Sequence, residues 1–320
     1  MPGQSWSVNA EGGYLANPKL SKQIRHAAQP LCKFRQFTRP EPGFGKNKSD
    51  TIEFDRIFNV TNAGGVISEL KRMPETDMKI SKGSLTVNEY GNSVPYTGKL
   101  EALSEFSVDN IWTVGLRDDM ATVLDAAVGA TFLECAYKYV ATGTAGSPTQ
   151  NIASTGIAGA TATRAPQLWD LKNIVDYMKK PLLIPKYDGE NYVCIASTAF
   201  LRAIKDDPDW EEAAKYGDPE RLFSGEAGRI YGCRCIEETN YLPLVAGTTA
   251  YAGEAVFFGA DPVVEGIVTP EEIRAKIPGD YGRSKGVAWY FLGGFATTWD
   301  QIIGTDSGVG KSKIIHYTSL

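Results

Sequence analysis

The sequence predicts an α+β protein, and three observations lead there. Apolar residues between Asp109 and Tyr139 recur at helical spacing. Shorter runs at 50–60, 83–96, 190–197 and beyond 254 have the look of strands. Helices and strands do not alternate in the regular βαβ rhythm that builds a parallel sheet. The composition can fill a core, at 42% hydrophobic and 22% charged, and 33 glycines point to many turns.

In chain order, residues 1–48 carry Pro18, Pro30, Pro40 and Pro42 with little periodicity. They predict an extended arm with one short helix near Lys19–Ala28. "DTIEFDRIFNV" (50–60) puts Ile52, Phe54 and Phe58 on one strand face, interrupted by Arg56. "GSLTVNEYGNSVPY" (83–96) supplies a second run, and "NAGG" and "RMPETD" lie in the polar stretch between. Together they predict a long hairpin, which cannot bury both faces alone.

The next element is a long helix. Leu116, Met120, Val123, Leu124, Ala127, Val128, Phe132, Cys135 and Tyr139 share a helical stripe, and "VDN" before Ile111 supplies capping residues. About thirty residues would span about 45 Å. "ATGTAGSPTQ" ends it. "QLWDLKNIVDYMKK" (167–180) predicts a second helix closed by Pro181, "ENYVCIAS" a strand, and "TAFLRAIKDDPDW" a short helix stopped near Pro208. The segments "EAVFFGADPVVEGIVT", "GVAWYFLGGFATTWD" and "SKIIHYTSL" predict further strands.

Charge is unevenly spread. Residues 1–48 hold eight Lys/Arg against two Asp/Glu, a net +6, which leaves −11 on the rest of a chain whose total is −5. A basic arm on an acidic body favours contact with acidic surface, either a neighbouring copy or nucleic acid. The opening residues have neither the basic nor the apolar region of a signal peptide, so none is expected. The longest uncharged run, Ala141–Thr163, is mostly Gly, Ala, Ser and Thr, too polar for a membrane span. Five cysteines fit a reducing compartment better than a disulfide framework.

Chemical candidates find little support. Cys233 and Cys235 flank Arg234 in "EAGRIYGCRC", but a zinc site needs a second pair or histidines. Cys32, Cys135 and Cys194 are scattered, and His26 and His316 sit near opposite ends. On a strand, Tyr231, Cys233 and Cys235 would share one face, with Arg234 and Ile236 on the other. "GTDSGVGKSK" (304–313) matches a phosphate loop at Gly310, Lys311 and Ser312, but its first glycine, Gly304, is one place early. Asp118–Asp119, Glu237–Glu238 and Glu271–Glu272 are sequence neighbours whose side chains diverge. No Ser–His triad is suggested. The expectation is a protein that is not an enzyme and has no cofactor, metal or membrane partner; a thiol- or metal-dependent enzyme is the least favoured alternative.

The order of elements resembles the major capsid protein of tailed phages, the Hong Kong 97-type (HK97-like) fold, over residues 45 to 300. Within 190–238, Leu201, Asp207, Trp210, Leu222, Gly225, Glu226, Gly228, Ile230, Gly232 and Arg234 are similar to a coat-protein subgroup of short-tailed phages. "VNEYGNSVPYT" resembles that group's lead into the long helix. The resemblance implies an N-terminal arm (1–48), an extended loop (49–100), a peripheral domain with a spine helix (101–165 and 250–320) and an inserted axial domain (166–249). It implies hexamers and pentamers in an icosahedral shell around double-stranded DNA, with portal, scaffold or cement proteins as partners. The expected intersubunit contacts are Lys33, Arg35, Arg39, Phe54, Arg56, Tyr90 and Tyr96. A cellular nanocompartment shell of the same fold is the alternative.

Overall fold

The computed structural model describes residues 30–42, 49–57, 64–69, 72–78, 80–104, 107–208, 229–242, 245–247, 250–299 and 312–320. Three of the sequence expectations lie wholly or largely outside them: the helix near 19–28, the loop 304–311, and Trp210 to Gly228 of the resemblance motif. Phe58 lies outside them too.

The chain enters through a 3-10 turn, Phe34–Phe37, and β1 (Thr38–Pro42). An antiparallel hairpin follows, β2 (Thr51–Ile57) with β3 (Ile80–Thr86), paired from Thr51↔Thr86 to Ile57↔Ile80. Next come β4 (Asn88–Thr97), α1 (Gly98–Leu103) and α2 (Val108–Leu133). Four short strands carry the chain to α3: β5 (Tyr137–Val140), β6 (Thr142–Thr144), β7 (Ser147–Thr149) and β8 (Ile152–Ala153). α3 (Leu168–Lys179), β9 (Tyr192–Ala196) and α4 (Thr198–Lys205) precede β10 (Arg229–Ile230) and β11 (Cys233–Glu237). The last strands are β12 (Val245–Gly247), β13 (Ala250–Ala252), β14 (Glu254–Phe258), β15 (Val263–Ala275), β16 (Ser284–Thr297) and β17 (Ile314–Thr318).

Two sheets organise these elements. The larger has the order β10-β11-β9-β14-β17-β5-β8, and the other β1-β15-β16-β4. Strand β9 is buried at every residue, because alternate side chains face different cores. One core joins Cys194, Phe257, Ile315 and Tyr317 to the apolar faces of α3 and α4. The other joins Val193, Ile195, Val256 and Phe258 to Phe132 and Val128 of α2 and to Phe34 and Phe37. From its N-terminus as far as Leu124, α2 packs Val108, Leu116 and Leu124 on Tyr96, Trp289 and Phe291 of the smaller sheet. One helix therefore bolts both sheets together.

Three expectations are corrected. First, α2 ends at Leu133, so its 26 residues span about 39 Å. Cys135 and Tyr139 leave the helix, and the β-forming run "YKYV" instead pairs in parallel with β17. Second, residues 83–96 are not one return strand of the hairpin. β3 pairs with β2, whereas β4 pairs with β16 from Ser284↔Thr97 to Gly293↔Asn88. Third, Tyr231 does not share a face with Cys233 and Cys235; it is exposed in the turn between β10 and β11, at φ 49 beside Gly232 at φ 78. Glycine suits that left-handed position and tyrosine does not.

Candidate functional site

The described part of the basic segment, 30–42, is anchored inside its own chain. Arg35 Nη2 lies 2.7 Å from Glu265 Oε1 and also pairs with Glu271. Thr38 Oγ1 donates to Glu265 Oε2 at 2.9 Å, so both oxygens of that buried carboxylate are held. The Arg35 backbone N–H donates to Asp125 Oδ1 at 3.0 Å. Burial pushes the Asp125 and Glu238 carboxyls above their usual range. Glu238 in turn accepts the backbone N–H groups of Asn240, Tyr241 and Leu242 at 2.6–2.9 Å. Arg39 reaches Asp261 at 3.7 Å, both exposed, and Lys33 is half-buried at the start of the 3-10 turn.

The hairpin residues divide between base and tip. Ile52 and Leu85 pack on Val264, with Phe54 beside them. Arg56 is buried rather than breaking the face. Its Nη2 donates to the Thr297 carbonyl at 3.0 Å, and its guanidinium lies 5.1 Å from the Phe54 ring. At the join with the smaller sheet, a Cβ on Gly294 would lie 2.1 Å from the Thr86 carbonyl oxygen. Only glycine allows that approach. Tyr90 packs against Phe291 and Phe295, and the buried Tyr96 hydroxyl donates to Asp109. Beyond the base, Ile57, Val66, Met73, Met78 and Ile80 are all exposed, Val66 completely. A second projection is the end of the β15–β16 ribbon, where Ile277 and Tyr281 stand in solvent.

Two buried constellations escaped the sequence analysis. Asp170, fully buried in the first turn of α3, accepts from both Arg164 Nη atoms. It also accepts from Tyr139 Oη at 2.8 Å, Tyr317 Oη at 3.1 Å and the Gln167 backbone N–H at 3.1 Å. Burial pushes both tyrosine phenols up. An aspartate on the apolar stripe of "QLWDLKNIV" was the available signal, as was lone Glu265 inside "VVEGIV". The second constellation brings Cys194 to Cys233 and Cys235, because β9 and β11 pair with Cys235 opposite Cys194. Among the described residues no group of His, Cys, Asp and Glu has metal-holding geometry.

These features are surfaces and struts: a tethered arm segment, a half-covered hairpin, a spanning helix and a long ribbon. A family model for the phage capsid protein matches residues 82–304, more than half of the chain. The chain belongs to the phage capsid protein family. It is accordingly a structural protein, a major capsid protein of an icosahedral phage head and a component of the virion. The capsid protein is similar in fold to the head of Helicobacter pylori bacteriophage KHP40, at TM-score 0.71 and 13% identity, covering 95% of this chain and 97% of that one. The acidic stable capsid of Helicobacter pylori bacteriophage KHP30 gives TM-score 0.68 at 12% identity, covering 98% and 97%. The capsid of Ralstonia phage GP4 gives 0.64 at 18%, covering 98% of both. No curated protein matches. The capsid protein thus has the HK97-like fold, whose subunits assemble into a multimeric shell of hexamers and pentamers.

Proposed function

We propose that this capsid protein closes its shell by laying the β2–β3 hairpin and the basic arm on neighbouring copies, around packaged double-stranded DNA. The observation that supports this most is the hairpin itself: its base is packed, while Ile57, Met73, Met78 and Ile80 are exposed by their own chain. Exposed apolar patches of this kind mark surfaces meant to be covered. The division of labour follows the four parts given above, with 1–48 as arm, 49–100 as extended loop, 101–165 with 250–320 as peripheral domain and 166–249 as axial domain. In that scheme Phe54, Arg56, Tyr90 and Tyr96 shape the hairpin and its root, and Lys33 and Arg39 offer charge beyond the Arg35 anchor. Portal and scaffold or cement proteins complete the partners, and the capsid protein itself performs no catalysis.

Electron microscopy of the expressed chain tests the reading. Closed particles are expected from the native sequence. Folded subunits without particles are expected when Met73, Met78 and Ile80 are changed to Ser. Normal particles from that variant would remove the hairpin from the contact.

A further inference from the structure

Cys194, Cys233 and Cys235 lie together in the core between the larger sheet and helices α3 and α4. β9 and β11 run parallel, with Cys194 directly opposite Cys235, so the two side chains emerge on one face of adjacent strands. Neighbouring strands lie about 4.8 Å apart, inside the Cα separation that a disulfide accepts. Cys233 is two residues earlier on the same strand and faces the same core. Cys194 and Cys233 have no exposed surface, whereas Cys235 keeps 6% of its own.

We propose that Cys194 and Cys235 form an oxidation site: a two-electron oxidant of the peroxide class converts them into a disulfide that ties β9 to β11 within one subunit. Cys235 is the point of entry, because of the three it is the least buried. Its sulfur attacks one peroxide oxygen, the O–O bond breaks, and the thiol becomes a sulfenic acid with release of water. The Cys194 sulfur then attacks the Cys235 sulfur, the S–O bond breaks, and a second water leaves with the thiol proton. Two thiols and one peroxide thus give one disulfide and two waters. The electrostatics agree with this order. Burial pushes the Cys194 and Cys233 thiols up, while hydrogen bonds from those same two thiols pull Cys235 down. A thiol held lower is the better nucleophile at a given pH. Cys233 lies along the strand from Cys235 instead of across from it, and so is the spare thiol. The inference is independent of how the capsid protein contacts its neighbours.

The test is peptide mapping of the full chain. Purified protein is freed of reductant, treated with hydrogen peroxide while folded, then unfolded in alkylating reagent and digested with trypsin. Arg234 lies between Cys233 and Cys235, so cleavage there separates the two thiols onto different peptides. The expected product joins the Cys194 peptide to the peptide beginning at Cys235, in the native chain and equally in Cys233→Ala. In Cys235→Ala, loss of peroxide-reactive thiol in the cluster should slow at least tenfold. A native-chain bridge through Cys233 would overturn the pairing. So would a chain whose three thiols all remain alkylatable after peroxide, or a Cys233→Ala chain that forms no bridge.

Discussion

The larger sheet and the β2–β3 hairpin are built from the same kind of strand and end in opposite situations. β9, β14 and β17 pack apolar side chains on both faces, into two cores shared with their own helices. The hairpin has one face covered, only at its base, by Val264 and Gly266 of the smaller sheet. Buried area scales with stabilisation at about 25 cal/mol per Å². The sheet therefore supplies the stability of the subunit, and the hairpin leaves much of its apolar surface exposed. If that contrast is right, substitutions should grade from large effects on folding in the sheet to almost none at the hairpin tip.

The largest effect is expected at Asp170→Ala. The change strips Arg164 and two tyrosine hydroxyls of their shared acceptor in a site with side-chain exposures of 5% and 0%. Removing one partner of a buried ion pair costs about 3–5 kcal/mol. Urea unfolding of the assembly-incompetent subunit measures it. A loss near that of a surface substitution would mean the sheet is not the stability centre.

Arg35→Ala should be smaller, about 1–3 kcal/mol, because Glu265 then keeps only Thr38 while Arg35 itself was partly in solvent. Arg39→Ala, with both partners exposed, should cost no more than about 1 kcal/mol. The difference between these two arginines, four residues apart, separates the anchored part of the arm from the part free to meet another copy. Equal losses would erase that boundary.

Most of the sheet was legible in the sequence, and the hairpin's path was not. Strands "ENYVCIAS" and "EAVFF" and helix α3 carry their own signals: apolar runs and a terminating Pro181. The end of α2 was misplaced because Cys135 and Tyr139 fit its stripe by accident of spacing, while pairing with the distant β17 decided their structure. The split between β3 and β4 was invisible for the same reason, since β16 claims β4 from two hundred residues away in sequence. The Cys194 cluster and the Asp170 node likewise depend on strand order, which local periodicity does not encode.

A pH series probes the sheet's interior, where His316 sits on β17 between β14 and β5. Burial pushes His316 below its ordinary value of 6.5, with Glu254 pulling it up and Lys138 pushing it down. The folded chain thus keeps His316 neutral where the unfolded chain takes a proton. More protons on the unfolded state mean that stability falls as pH drops below about 6.5. Asp125 and Glu238 run the other way: their raised carboxyls bind protons more readily in the folded state, so acidification just above the ordinary carboxylate range favours folding. Urea midpoints at about pH 7.5 and about pH 5.5 bracket the ordinary histidine range. His316→Gln should flatten the fall; an unchanged slope would place the acid sensitivity elsewhere.

The smallest effect on folding is expected at the hairpin tip, and there the comparison is sharpest. Met73, Met78 and Ile80 are 68%, 57% and 63% exposed, so serine at all three removes little buried surface from the subunit. Surface changes of this kind stay within about 0.5 kcal/mol each. The same three side chains are the surface that a neighbour would desolvate. Each fully buried aliphatic side chain gains about 1.5–3 kcal/mol, and a closed shell repeats the gain at every copy. The triple variant should unfold at the native urea midpoint as a subunit and raise the concentration needed for particle formation by at least tenfold. A lowered midpoint with normal assembly would invert the assignment and make the tip part of the subunit's own core.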